Sequence, residues 1–220
     1  MRIACLVPSI TELLFALGLG AQLVARTGFC IHPRARVKAV PKVGGTKDVK
    51  VDALLRLAPT HVIVNIDENT RAIYETLRAV VPHVIVTHPN EPRDNIGLFR
   101  LLGAIFHREQ RAAVLIDAFE DAFARTTLAA RELPELRVLY LIWRAPWMTV
   151  APDTYIANTL KLVNWSTLPA SVENRYPSLS DDEIKALAPD LCLLSSEPFR
   201  FRERHRDEVG ALIGDRDRYG

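Results

Sequence analysis

The sequence predicts an α/β fold in which two lobes with mainly parallel sheets are joined by one long α-helix. The first observation is that short apolar runs alternate with longer segments of helical period, the pattern of a parallel sheet with crossover helices. The second is that residues 93–131 contain no proline and repeat apolar residues at spacings of three and four. The third is the composition of the 220 residues, 49% hydrophobic and 25% charged, which is that of an ordinary globular protein.

The strands are predicted from apolar runs of about five residues, which is typical of parallel strands buried on both faces. They are residues 3–7, 23–26, 61–64, 83–87, 138–143 and 191–195. The helices predicted between them are residues 9–17, 51–57, 70–80, 154–163, 180–187 and 201–213. Two segments that contain proline, residues 29–50 and 145–154, are predicted as loops.

Residues 93–131 interrupt this alternation and predict a single helix roughly 50 Å long at the usual rise per residue. Such a helix is too long to be one crossover in a compact sheet, so it would separate a first lobe, residues 1–92, from a second lobe, residues 132–220. The alternative is two helices broken near Gly103 or His107. We favour the single helix because an isolated glycine is tolerated within a helix.

Charge and cysteine content exclude several classes of protein. The 28 basic residues exceed the 26 acidic ones by only two and are spread along the chain, so no nucleic-acid partner is implied. Cys5, Cys30 and Cys192 lie far apart without a Cys-x-x-Cys pattern, which argues against a disulfide framework. The longest uncharged stretch, residues 13–25, is too short to span a membrane, so no transmembrane segment is expected.

The N-terminus lacks the long apolar core and cleavage site of a secretory signal. The first predicted strand follows Met1 and Arg2 directly. We therefore expect a cytoplasmic protein, or a periplasmic one whose signal peptide has been removed.

Ligands of open parallel sheets bind beyond the carboxyl ends of the strands, and two such lobes facing each other would enclose a cleft. After the first strand, Ser9-Ile10-Thr11-Glu12 has the spacing of a capping box that opens a helix. The alternative is that this helix N-terminus offers its amide groups to a polar edge of a ligand.

The loop after the second strand contains Phe29, Cys30 and His32, which could cover or ligate a bound group. A Cys-x-His pair alone does not make a metal site, which needs three or four ligands, so no metal site is predicted. The following Gly44-Gly45-Thr46-Lys47 lacks the spacing of a phosphate-binding loop.

In the second half, Trp143, Arg144 and Trp147 flank a proline at a strand end. The tryptophans could pack on a planar ligand and the arginine could pair with a carboxylate, although core packing of one tryptophan is an equal alternative.

The sequence has no Gly-x-Ser-x-Gly motif, paired carboxylates or Ser/His/Asp ordering, so we predict that the protein is not an enzyme.

Several segments resemble the cobalamin-binding and iron-complex-binding proteins of ABC importers, the class III solute-binding proteins. These segments are residues 6–18 (LVPSITELLFALG), 41–45 (PKVGG) and 54–64 around Ala58-Pro59. The second half is similar to the helical-backbone metal receptor subgroup at residues 143–149 (WRAPWMT), 175–177 (RYP) and 194–199 (LSSEPF).

The resemblance implies two Rossmann-like lobes on one long helix, which clasp cobalamin, haem or another iron chelate such as a siderophore complex in the cleft between them. It implies a monomeric receptor with a small-molecule ligand, an ABC permease as partner, and no catalytic cofactor. Phe29 falls where an aromatic side chain packs against the corrin ring in cobalamin receptors. The residues expected by position to contact the ligand are Ser9, Glu12, Phe29, His32, Gly45, Thr46, Asn65, Asp67, Trp143, Arg144, Trp147, Tyr176, Glu197 and Phe199.

Three departures from the family pattern lead to a second hypothesis. Members are usually exported, whereas this chain shows no signal. The cobalamin receptors dock on their permease through a glutamate on each lobe, whereas the aligned position in the first lobe carries Thr70 and Arg71. The second lobe is expected to be short, because the chain stops at residues 215–220 where the family adds a further strand and helix. The alternative function is therefore a cytoplasmic cofactor sensor or carrier that docks on a protein other than a permease.

Overall fold

The structure, a computed structural model, describes residues 1–214 and divides into two compact units. The first unit contains Met1–Pro89 and Ile96–Asp117, and the second contains Asn90–Asn95 and the chain from Ala118 onward. Each unit has its own parallel sheet with helices, which confirms the predicted α/β class.

The first unit is built on a four-stranded parallel sheet in the order β2-β1-β3-β4. Its strands are β1 (Ile3–Cys5), β2 (Leu23–Arg26), β3 (His61–Asn65) and β4 (His83–Thr87), each within a residue or two of its predicted position. Its helices are α1 (Pro8–Ala16), α2 (Arg34–Val37), α3 (Val51–Arg56) and α4 (Arg71–Arg78). Only α2 was not predicted, because a single turn of helix inside a proline-containing loop carries no periodic signal.

Both faces of β1 are buried, which explains why this strand is continuously apolar. Ile3 and Cys5 of β1 pack on one face together with α1, whereas Ala4 and Leu6 pack on the other face with α3 and α4. The alternation of side chains along a strand therefore serves two separate apolar layers.

Helix α1 begins differently from its predicted capping box. It begins at Pro8, and Val7 occupies the N-cap position without any side-chain cap. Proline suits this first position because its φ is already helical and its missing N–H would have no helical partner. Ser9 therefore lies inside the first turn, and the prediction of a Ser9–Glu12 capping box is wrong.

The predicted single helix over residues 93–131 is also wrong, and the alternative of two helices is correct. Helix α5 (Asp94–Ile105) and helix α6 (Glu109–Ala129) are separated by a reversal at His107, whose φ is +53°. The amide of His107 donates to the carbonyl of Ala104 at 3.4 Å and that of Arg108 to the carbonyl of Gly103 at 2.7 Å, the two bonds of a Schellman C-cap. Gly103 lies in α5 itself, where a Cβ would stand 2.7 Å from the Cβ of Ala112 in α6. Its role is therefore close helix packing.

The second unit has a three-stranded parallel sheet in the order β7-β5-β9 and a two-stranded antiparallel sheet of β6 and β8. Its strands are β5 (Leu136–Leu141), β6 (Trp147–Met148), β7 (Trp165–Thr167), β8 (Ser178–Leu179) and β9 (Leu191–Leu194), and its further helices are α7 (Tyr155–Lys161), α8 (Asp181–Leu187) and α9 (Glu203–Ile213). Strands β5 and β9 were predicted, whereas β6, β7 and β8 have only two or three residues and give no pattern.

None of the helices within residues 1–214 has the length and apolar character needed to cross a bilayer. The predicted shortness of the second lobe concerns residues 215–220, which lie outside the described residues.

Candidate functional site

The parallel order of the first sheet brings the loops after all four strands to one edge. The first of these loops leads into α1, where Ser9 and Glu12 are exposed. Thr11 is buried and donates its hydroxyl to the carbonyl of Val7 at 2.9 Å, so it belongs to the interior of the helix. Ser9 and Glu12 are thus accessible to a ligand at this edge.

The loop after β2 separates its two candidate metal ligands. Cys30 is buried, and its sulfur lies 3.1 Å from the hydroxyl oxygen of Thr11, whereas His32 is exposed. Burial also raises the pKa of neighbouring Cys5 to about 12, so that thiol stays protonated. The apolar side chains that this loop presents to solvent are Phe29, which is 49% exposed, and Ile31, which is 41% exposed.

The Gly-Gly-Thr-Lys segment forms a tight turn beneath Phe29. Gly44 has a φ of +108°, and a Cβ there would stand 2.2 Å from the carbonyl oxygen of Asp48, so only glycine fits. The Cβ position of Gly45 lies 3.6 Å from the Phe29 ring. Thr46 is buried, and its carbonyl accepts a hydrogen bond from the side chain of Asn69 at 2.9 Å.

A polar network follows β3. Asn65 is buried, and its side-chain oxygen accepts the amide of Asp67 at 2.8 Å, which fixes the turn after the strand. The side-chain nitrogen of Lys47 donates to the carbonyl of Asp67. The carboxylate of Asp67 lies 3.5 Å from Nε2 of His88, which follows β4. Asn65 is therefore a buried residue that fixes the backbone of this loop, whereas the side chain of Asp67 is partly accessible to solvent.

The second unit contains a group of stacked rings that we call the aromatic cluster, composed of Trp143, Trp147, Phe199, Phe201 and His205. The rings of Trp143 and Phe199 meet edge to face with centroids 5.2 Å apart, and Phe199 meets Phe201 in the same way at 4.8 Å. Trp147 stacks on Phe201 at 6.5 Å. Trp143, which is 40% exposed, is the open end of this cluster.

Trp147 is the buried end, because it is only 2% exposed and donates its indole N–H to the carboxylate of Asp181 at 3.0 Å. Trp147 is therefore a core residue, which agrees with the alternative that one of the two tryptophans packs in the core instead of contacting a ligand. Arg144 covers its ring at 4.1 Å and donates a 2.8 Å hydrogen bond to Glu208. That hydrogen bond lowers the pKa of the Glu208 carboxyl. In this structure the predicted carboxylate partner of Arg144 is thus a side chain of the protein.

The other predicted residues of the second unit lie in loops. Glu197 is exposed after β9, and Tyr176 is half-buried next to Arg175. The guanidinium of Arg175 is held by Asp153 at 3.1 Å. The exposed rings and polar side chains of each unit offer contacts for a ligand. Within residues 1–214 no three His, Cys, Asp or Glu side chains gather as a metal site would require.

Several residues of the polar network after β3 and of the aromatic cluster were not predicted from the sequence. Lys47, Asn69 and His88 complete the network around Asp67, and Phe201 and His205 complete the aromatic cluster. Only Asn69 had a local signal, since it follows Asn65 by four residues and accepts the amide of Asn65 at 3.0 Å. Lys47 and His88 meet Asp67 from about twenty residues away, and Phe201 meets Trp147 from more than fifty. The ring of His205 contacts Phe199 and Phe201 within the same short segment, where no sequence pattern indicates a cluster.

Comparison with known proteins places this geometry in a family. The model of the family described as "Periplasmic binding protein" matches residues 3–210. Among solved structures, the chain is similar to the periplasmic vitamin B12 binding protein BtuF of Vibrio cholerae, with a TM-score of 0.85 and 18% identity over 99% of this chain and 86% of that one. No match is found among the curated proteins.

Two further structures share the fold. The periplasmic heme-binding protein RhuT from Roseiflexus sp. RS-1 has a TM-score of 0.79 and 25% identity over 88% of this chain and 75% of that one. A possible iron-binding, periplasmic solute-binding protein from Staphylococcus epidermidis has a TM-score of 0.72 and 18% identity over 90% of this chain and 78% of that one. Because the family match covers nearly the whole chain, the chain belongs to the periplasmic binding protein family.

Proposed function

We propose that this protein is the solute receptor of an ABC importer and binds a metal-containing cofactor or iron chelate: cobalamin, haem or a siderophore complex. Membership of a binding-protein family supports binding without chemistry. The similar structures named as vitamin B12-binding, heme-binding and iron-binding proteins support this group of ligands.

The observation that carries the proposal is that each unit exposes an aromatic ring in a loop beyond its strands. Phe29 is 49% exposed after β2 and Trp143 is 40% exposed after β5. Both rings have neighbours that hold them, the turn at Gly45 and the ring of Phe199 respectively. Contact with a flat ligand would stabilise a complex by about 0.5–1.5 kcal/mol per ring beyond the burial of its area.

The charge around Phe29 favours a ligand with carboxylates. Residues 27–50 contain six exposed lysines and arginines and only one acidic residue, Asp48. This local excess is larger than the excess of two over the whole chain, so it attracts anions to one edge of the first unit. Within the proposed group, haem and carboxylate-bearing iron chelates match this edge better than cobalamin.

Isothermal titration calorimetry with haemin, cyanocobalamin and a ferric siderophore complex tests the proposal. We expect micromolar or tighter binding of at least one of them. Phe29→Ala and Trp143→Ala should each weaken that binding about 3- to 10-fold. Leu101→Ala, which truncates an exposed apolar side chain of α5, is the control and should change the affinity less than about 2-fold. If none of the three ligands gives heat with the unmodified protein, the proposal is wrong.

The partner and location follow from the same proposal. An importer receptor works as a periplasmic protein that delivers its ligand to a permease, and we propose that it does so as a monomer. The second candidate, a cytoplasmic sensor or carrier, is favoured by Arg71, whose side chain is 90% exposed beside the N-cap residue Thr70 of α4. Fractionation of cells that express the full native gene separates the two: recovery from the periplasm supports the receptor, and recovery only from the cytoplasm supports the sensor.

A further inference from the structure

Arg26, the last residue of β2, is a buried cation without an acidic partner. The residue is only 4% exposed, and no carboxylate within residues 1–214 lies at ion-pair distance from its guanidinium. Burial of a charge is costly unless hydrogen bonds compensate it. The partners of this guanidinium therefore show what it does for the protein.

All of the recorded partners are backbone carbonyls of one segment. Nε donates to the carbonyls of Val37 at 2.9 Å and Val40 at 3.1 Å, and Nη1 donates to those of Thr27 at 3.2 Å and Cys30 at 2.9 Å. Four carbonyls between residues 27 and 40 thus converge on one side chain. Lysine, with its donors on a single nitrogen, cannot reproduce such a fork.

The main chain of Arg26 closes the same segment. Its amide donates to the carbonyl of Pro41 at 3.0 Å, and its carbonyl accepts the amide of Val43 at 2.9 Å. The chain therefore leaves β2 at Arg26, turns around the Arg26 side chain and returns to pair with the Arg26 backbone. Apart from α2, this segment has no regular structure of its own, so the hydrogen bonds of Arg26 join parts of it that no strand or long helix connects.

Phe29 lies between two of the carbonyls that Arg26 holds, those of Thr27 and Cys30. The side chains of both neighbours are buried, and their hydroxyl and thiol lie 3.2 Å apart. With the backbone held on either side and the side chains of Thr27 and Cys30 buried, the ring of Phe29 remains exposed, as does Ile31 after Cys30.

We propose that Arg26 is a positioning residue of the ligand site, which holds residues 27–40 in the conformation that presents Phe29. This inference rests on the proposed function, because it assigns Phe29 to ligand contact. Its physical basis is preorganisation: a ring that is already held loses less conformational freedom when the ligand binds. The hydrogen bonds of a buried charge maintain that order more strongly than those of a neutral side chain.

The test combines a double-mutant cycle with hydrogen exchange. The variants are Arg26→Met, Phe29→Ala and the double variant, with Arg100→Met as the control because Arg100 is an exposed arginine of α5 in the same unit. Without ligand, Arg26→Met should speed amide exchange within residues 27–40 about 10-fold or more relative to the strands of the sheet, and Arg100→Met should not.

The binding measurement uses haemin or, if haemin gives no heat, whichever of cyanocobalamin and the ferric siderophore complex does. Arg26→Met should weaken binding about 3- to 10-fold when Phe29 is present and less than about 2-fold in the Phe29→Ala background. A purely structural role would weaken binding equally in both backgrounds, and that result would overturn the inference. Unchanged exchange in residues 27–40 would also overturn it.

Two outcomes separate this inference from the proposed function. If the unmodified protein binds none of the three ligands, the proposed function has failed, and the exchange measurement still decides whether Arg26 orders the loop. If the Arg26→Met variant does not fold, Arg26→Lys is used in its place, because lysine keeps the positive charge but lacks the several donor nitrogens of the guanidinium. Arg26→Lys must then show the faster loop exchange and the same dependence on Phe29, and failure on either count rejects the inference.

Discussion

Replacement of Gly103 by alanine is expected to destabilise the protein, although Gly103 lies inside a helix. Alanine is the better helix former, and this preference alone would stabilise the folded state by about 1 kcal/mol. The added Cβ, however, would stand 2.7 Å from the Cβ of the buried residue Ala112 in α6. That atom is bonded directly to the main chain, so it can move away only if the helix itself moves. Overpacking of this kind costs about 1–3 kcal/mol, so we expect a net loss of roughly 1 kcal/mol.

Gly97 offers a matched control in the same helix. It is exposed, and no atom lies within 4 Å of its Cβ position. Gly97→Ala should therefore raise the free energy of unfolding by about 0.5–1 kcal/mol. The two substitutions are chemically identical, so their difference isolates the packing between α5 and α6.

Chemical denaturation measures both effects, and a change of 1 kcal/mol corresponds to about 2–4 °C in the thermal midpoint of a chain of this size. The double variant Gly103→Ala/Ala112→Gly should recover about 1–2 kcal/mol relative to the sum of its single changes, since it removes the clashing atom. If Gly103→Ala proves as stabilising as Gly97→Ala, the close approach of the two helices described above is incorrect.

Two other predictions follow from burial. Trp147→Ala should lower the free energy of unfolding by about 3–5 kcal/mol because it empties a buried site, whereas Trp143→Ala should cost only about 1 kcal/mol. Equal losses in a denaturation experiment would contradict the assignment of Trp147 to the core and Trp143 to the surface. Burial and the neighbouring ring of His83, 4.6 Å away, lower the pKa of His61 below the ordinary value of about 6.5. The unfolded chain therefore binds this proton more readily, so the contribution of His61 is present above about pH 6.5 and is lost as the pH falls toward the lowered folded pKa. Thermal unfolding between pH 7.5 and pH 5.5 should show a smaller decrease for His61→Gln than for the unmodified protein, and equal decreases would count against this assignment.

The candidate site was only partly visible in the sequence. Phe29 and Trp143 were identified because an aromatic side chain in a loop after a strand is a local pattern. The role of Arg26 was not identified, since it meets its carbonyl partners at separations of up to fourteen residues. Phe199 was expected at the site, but its contact with Trp143, fifty-six residues away, was not. Periodicity carries no information about such contacts.

The two tryptophans show the same limit within five residues. Trp143 and Trp147 flank one proline, and nothing in the sequence indicates which of the two is exposed. The structure separates them because Trp147 lies in β6, which pairs with β8, and its indole reaches Asp181 near the start of α8. Strands of two residues have no pattern of their own and form only where the rest of the unit positions them.

The alternation of strands and helices was determined by the sequence itself, because a strand buried on both faces must be apolar throughout and this requirement is local. The family resemblance likewise followed from short segments, and the family match confirms it. Tertiary structure decided whether the long helical segment breaks at His107, which tryptophan is buried and what Arg26 holds. Each of these depends on groups distant in sequence: α6 packs on Gly103, Phe201 stacks on Trp147, and four loop carbonyls surround one guanidinium.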